Sequence, residues 1–128
     1  MGDFIYIING KEYVQKKLVL MQWNQLLKVI EGVSFTLDSS PTSMVYQLGE
    51  RVPEALAIVL CETNISIREK NIESVKEDME LADIDIAVKV IEDFFGCNPI
   101  VSLLEKFQGL MVALTNKVKD VEKPSLTN

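Results

Sequence analysis

The residues able to do chemistry are few, and a whole residue class is missing. The sequence holds no histidine. That removes the usual general base, the usual nitrogen ligand for metals and every Ser-His or Cys-His nucleophile pair. Cys61 and Cys97 stand far apart with no CxxC spacing, which argues against a zinc site and against a disulfide scaffold. Both are expected to be reduced and buried in apolar helices. The six glycines occur singly, so neither a GxGxxG nor a phosphate loop is present. Carboxylates are what remains. Asp83 and Asp85 form a DxD, and Glu92 and Asp93 are adjacent. Either pair has the oxygen chemistry of a magnesium or calcium ligand. The plainer expectation is that Asp83 favours the start of a helix, while Glu92 and Asp93 lie on a helix's solvated side. No catalytic, cofactor-binding or metal-binding residue is therefore expected, and the chain is not expected to be an enzyme.

The elements that would position these residues can be read from the chain. Phe4–Ile8 and Lys11–Gln15 flank Asn9-Gly10, the pairing of runs and turn that signals a type I′ hairpin. A two-residue loop sets Ile8 opposite Lys11, Tyr6 opposite Tyr13 and Phe4 opposite Gln15. The other face then carries Ile5 with Val14 and Ile7 with Glu12. The first strand is apolar on both faces, so one face should meet helices and the other a further strand, a helix or a partner. Leu18 to Ile30 reads as a helix with Leu20, Trp23, Leu27 and Ile30 in a stripe, stopped by Gly32. Val33 to Leu37 alternates as a short third strand would. Ser40-Pro41 opens a helix that runs to about Leu48, and Pro53 opens the next, carrying Leu56, Val59 and Leu60. Glu62 to Glu80 is dominated by charge and reads as a loop with at most a turn of helix. Leu81 to Phe95 is a helix with Ile84, Val88, Ile91 and Phe95 in a stripe, stopped by Gly96. Asn98-Pro99 begins a last helix with Ile100, Leu104, Phe107, Met111, Leu114 and Val118 at steps of four and three. The end, from Lys119, is polar. The fold class is α+β and predominantly helical: an N-terminal β-hairpin packed on a bundle of about four to five helices, in one domain spanning 1–118 with a polar tail from 119 to 128.

With 128 residues, 48% hydrophobic and 25% charged, a single folded core is expected. The net charge of -6 argues against nucleic acid, because phosphates need clustered Lys and Arg. The apolar runs are far too short to span a bilayer, no signal peptide is evident, and Tyr6 breaks the myristoylation pattern that Gly2 suggests. A cytoplasmic protein is expected. Trp23 suits a core stripe more than a binding hot spot. Phe94 and Phe95 diverge by about 100° on a helix, so one of them should face a second layer or a partner. Val101, Leu103 and Val112 lie off the main seam of the last helix, leaving it apolar over more than half its circumference. The expected protein-interface residues are Phe94, Phe95, Leu103, Phe107, Leu110 and Met111.

The order of these pieces resembles a known family. A strand-turn-strand, Phe4 to Gln15, leads into a helix ending Leu26-Leu27-Lys28-Val29-Ile30-Glu31-Gly32. The helical section Val52-Pro53-Glu54-Ala55-Leu56-Ala57-Ile58-Val59-Leu60 follows. Then comes Val88 to Pro99, with Phe94-Phe95 and Asn98. This looks like the tail assembly chaperones of long-tailed bacteriophages and prophages. The layout is shared over nearly the whole chain, and the specific likeness covers about a dozen residues. The resemblance implies binding to the tape measure protein, a very long, largely helical and apolar chain, before the tail tube polymerises around it. It also implies self-association, no cofactor and absence from the finished virion. A small structural protein of the tail or neck, or another protein-binding adaptor, is the alternative reading.

Overall fold

Asn9 and Gly10 both adopt positive φ, 52° and 74°, as a type I′ turn requires. The turn joins β1 (Phe4–Ile8) to β2 (Lys11–Gln15) in the anticipated register, from Phe4 opposite Gln15 to Ile8 opposite Lys11. The computed structural model describes residues 3–34 and 40–99, and the elements below belong to one unit ending at Asn98. Tyr6, Ile8, Tyr13 and Gln15 are buried on one face of the hairpin, while Ile5 and Ile7 stand on the other.

A third strand pairs with β2, but it does not come from Val33–Leu37. Val33 and Ser34 are irregular, and the rest of that expected strand lies outside the described residues. Instead β3 (Leu60–Glu62) runs antiparallel to β2, with Leu60 opposite Gln15 and Glu62 opposite Tyr13. The sheet order is β1-β2-β3. The class is thus α+β, with five α-helices among the described residues.

Helix α1 (Leu20–Val29) buries Leu26 and Gln22, with Trp23, Val29 and Ile30 half-buried against the core. This corrects the expected stripe, since Leu20 and Leu27 point outward. The helix is rotated because Gln22 has partners in the interior. Its Oε1 accepts from the Val19 N–H at 3.1 Å, and its Nε2 donates to the Ile58 carbonyl at 2.9 Å. A buried amide so paired avoids its desolvation penalty and takes a place that periodicity assigns to an apolar residue. Gly32, at φ 82°, follows the helix end.

Ser40 caps α2 (Pro41–Leu48), its hydroxyl accepting from the Ser43 N–H at 3.1 Å, with Pro41 in the first turn as expected. A short 3-10 turn (Gly49–Arg51) leads into α3 (Val52–Val59). Leu60 does not continue that helix; it starts β3. Residues Ala55 to Cys61 are all buried, and α3 packs on α1 and on α4 (Ile72–Met79). The fourth helix corrects the expected loop over Glu62–Glu80. Asn71 caps it by accepting from the Ser74 N–H at 3.1 Å. Three apolar residues at steps of three and four, Ile72, Val75 and Met79, suffice to seat it on the core.

Helix α5 (Ile84–Cys97) runs through Gly96 rather than stopping there. Gly96 lies against the Phe4 ring, where a Cβ would meet it at 3.7 Å, an ordinary contact. Ala87, Val90 and Asp93 form the buried face, with Ile86 and Phe94 half-buried against the core. Ile84, placed inward by the sequence, is exposed. The expected last helix lies outside the described residues, as does part of the 1–118 domain and all of the 119–128 tail.

Candidate protein-binding surface

Two buried carboxylates dominate the polar chemistry of the described residues, and both hold the hairpin to helices. Asp78 on α4 is buried at the tip of the hairpin. Asn9 Nδ2 donates to its Oδ1 at 2.8 Å; Lys11 Nζ donates to its Oδ2 at 3.0 Å, and the Tyr13 hydroxyl donates to the same oxygen. The Tyr13 hydroxyl, with help from Asn9 and Lys11, holds the Asp78 carboxyl below its ordinary range despite burial. Burial, then the bond to Asp78, pushes the Tyr13 phenol up, so it remains a donor.

Asp93 on α5 does the same beneath the middle of the sheet. The sequence placed it on a solvated face; it is buried, and this is a correction. The Tyr6 hydroxyl donates to its Oδ2 at 2.7 Å, and Lys89 Nζ, one turn earlier, donates to Oδ1 at 2.9 Å. Gln15 Nε2 donates onward to the Tyr6 oxygen at 2.8 Å and to the Val90 carbonyl at 3.1 Å. Burial, then Asp93, raises the Tyr6 phenol pKa. Aspartates here satisfy phenols that the hydrophobic core would otherwise strand. Their oxygens are occupied by fixed donors, which is the role of a structural group. Asp83 and Asp85 are exposed, Asp83 at the N-cap of α5. Among the described residues no group of three or more His, Cys, Asp or Glu converges as metal ligands would.

Lys70 closes the end of α3 without a carboxylate. Its ammonium donates to the carbonyls of Ala57 at 2.7 Å, Ile58 at 2.8 Å and Leu60 at 3.0 Å. Cation and helix C-terminus are complementary, and these carbonyls lack intrahelical partners. Burial pushes the Lys70 pKa down to about 8. Arg51 serves α1 in the same way, donating to the carbonyls of Val29 at 3.1 Å and Glu31 at 2.7 Å. Both cysteines are free; Cys61 lies in β3 rather than in a helix, and burial raises its thiol pKa.

Of the six expected interface residues, Phe94 and Phe95 are described. Phe94 packs edge-on against Trp23, with centroids 5.8 Å apart, and Phe95 stands edge-on to Phe94 at 5.5 Å. Phe94 is seated on the core with Trp23, whereas Phe95 is half-buried beside it. The two rings thus meet each other edge-on, and Phe94 also packs against the core. Leu103, Phe107, Leu110 and Met111 lie outside the described residues. The structure adds apolar surface that periodicity had placed inside. Leu20 is 80% and Leu27 is 56% exposed, two turns apart on one side of α1. Ile5 and Ile7, at 59% and 61%, form the outer face of β1, and Tyr46, Leu81 and Ile84 are also exposed. Scattered single leucines on a surface are ordinary, but a pair at i and i+7 is the spacing with which one helix meets another.

Among the described residues no helix is long and apolar enough to cross a membrane. Comparison of the chain with protein-family models, with curated proteins and with solved structures finds no match.

Proposed function

We propose that this chain is a non-catalytic tail assembly chaperone of a long-tailed bacteriophage or prophage. It holds helical segments of the tape measure protein in the bacterial cytoplasm while the tail is built, and it self-associates. The observation that carries this reading is the pair Leu20 and Leu27, presented to solvent on a helix whose opposite side is anchored in the core through Gln22 and Leu26. A holdase needs such apolar helix faces, rigidly backed, on a molecule that its own charge keeps dispersed. The net charge of -6 supplies the second requirement. In this reading the hairpin packs on a bundle of four to five helices. Phe95 extends the client surface and Phe94 supports it from the core; Leu103, Phe107, Leu110 and Met111 of the carboxyl-terminal segment also contribute to client binding or self-association.

The experiment is mass spectrometry of purified virions beside the lysate that produced them. A chaperone is abundant in the lysate, where it co-purifies with the tape measure protein, and absent from particles. Stoichiometric recovery from particles would replace this reading with that of a small tail or neck component.

A further inference from the structure

Strand β1 is an edge, and its backbone points outward in a way the register defines. Glu12 directs its carbonyl to β3, accepting from the Thr63 N–H at 3.0 Å. Backbone groups alternate sides along an antiparallel strand. Ile7 lies opposite Glu12 and Ile5 opposite Val14, so both direct their N–H and C=O away from β2, to the open side. Among the described residues no backbone group pairs with that side. The sequence Phe4-Ile5-Tyr6-Ile7-Ile8 carries none of the lysines, prolines or inward charges that protect edge strands.

We propose that two copies of this chain pair antiparallel through β1 about a twofold axis at Tyr6, doubling the sheet. Ile5 of each copy then lies opposite Ile7 of the other, and each such pair exchanges both of its backbone hydrogen bonds. The four isoleucines form one patch on the face that each copy leaves exposed, at 59% and 61% for Ile5 and Ile7. The register selects itself. Centring on Ile5 instead sets Asp3 against Ile7, and centring on Ile7 sets Ile5 against Asn9; only centring on Tyr6 gives both outward isoleucines of each copy an isoleucine partner. No charged residue of the strand meets a like charge. A helical client offers no strand edge, so a second copy is the occupant this edge fits. Five residues at about 3.4 Å each give a short seam, below the roughly 1,000 Å² of a permanent interface. The dimer is therefore reversible, and because each copy carries a charge of -6, salt strengthens it. This gives the self-association in the proposed function a mechanism and rests on that part of it alone.

The test contains no tape measure protein, so its result is separable from client binding. Sedimentation velocity over a concentration series should show the mass moving from one copy to two, further so at high salt. Amide exchange at Ile5 and Ile7 should slow as concentration rises. Ile7→Lys changes an exposed side chain, and Ile5→Pro removes an N–H that the hairpin does not use; each should weaken dimerisation at least tenfold. A chain that stays monomeric throughout overturns the proposal. So does a dimer that both variants leave unchanged, or exchange at Ile5 and Ile7 that ignores concentration.

Discussion

Replacing Asp78 by Asn probes how the hairpin is fastened to α4. The carboxylate accepts from three donors: Tyr13, Asn9 at 2.8 Å and Lys11 at 3.0 Å. Lys11 is largely exposed, so its ion pair contributes little. The Tyr13 bond is buried and charge-assisted, worth about 1.5–3 kcal/mol, and the part-buried Asn9 bond adds about 1. A carboxamide keeps one acceptor and turns an NH2 toward a donor. The expected loss is about 3 kcal/mol, a large fraction of a small domain's stability of roughly 5–15 kcal/mol. Urea unfolding followed by circular dichroism measures it, with Tyr13→Phe and the double variant closing a cycle. The coupling energy should be about 1–2 kcal/mol, because the two substitutions remove one shared bond. The pH dependence follows from the direction of the shift. The folded-state pKa of Asp78 lies below its unfolded value of about 3.9, so its stabilisation is complete above that value. It is lost as pH falls through the folded pKa, and Asp78→Asn should flatten that acid limb. A loss under about 0.5 kcal/mol with no coupling to Tyr13 would refute the reasoning.

Other substitutions test the remaining anchors. Lys70→Met keeps the stem but removes the ammonium from the carbonyls of Ala57, Ile58 and Leu60, of which Ile58 keeps its bond from Gln22; urea unfolding should show a loss of about 2–4 kcal/mol, and faster amide exchange at β3 should accompany it. Asn98→Ala removes the acceptor of the Leu18 N–H, bonded at 2.9 Å, and the side-chain bond to Phe94; a thermal melt should report about 1–2 kcal/mol of destabilisation. Tyr6→Phe leaves Asp93 and Gln15 each short of a buried partner and should lose about 1–3 kcal/mol by the same measurement. Leu20→Lys with Leu27→Lys should leave stability within about 0.5 kcal/mol, since both side chains already face solvent.

The hairpin was legible because its cause is local. Asn9-Gly10 dictates the turn, the turn dictates the register, and alternation selects which face is buried. Capping was legible for the same reason at Ser40-Pro41. The rotation of α1 and α5 was not, because each buries a polar residue, Gln22 and Asp93, whose partners sit in distant parts of the chain. Their hydrogen bonds to Ile58 and Tyr6 exist only in the folded state, so an apolar stripe drawn from the sequence passes over them. Leu60–Glu62 was hidden by continuity. It prolongs the apolar run of α3, and only the free side of β2 makes it a strand. Helix α4 was hidden by brevity, with three apolar residues among charges. A cap signal was present in Asn71, three residues before Ser74, and it could have located the start. For the candidate surface, the adjacency of Phe94 and Phe95 did not reveal that their rings meet edge-on. Leu20 and Leu27 were assigned to the core by a periodicity that passes over Gln22. Their exposure is therefore the counterpart of that buried amide.

The central claim is that the exposed apolar faces of this chain hold a helical client. Co-expression with segments of a phage tape measure protein, the proposed client, tests it directly. The account predicts that the client is soluble and co-purifies with the chain. It also predicts that Leu20→Lys with Leu27→Lys, or Leu103→Lys with Leu110→Lys, abolishes this while circular dichroism stays unchanged. A client that precipitates equally with and without the chain, or that binds both double variants as well as the original, would contradict it.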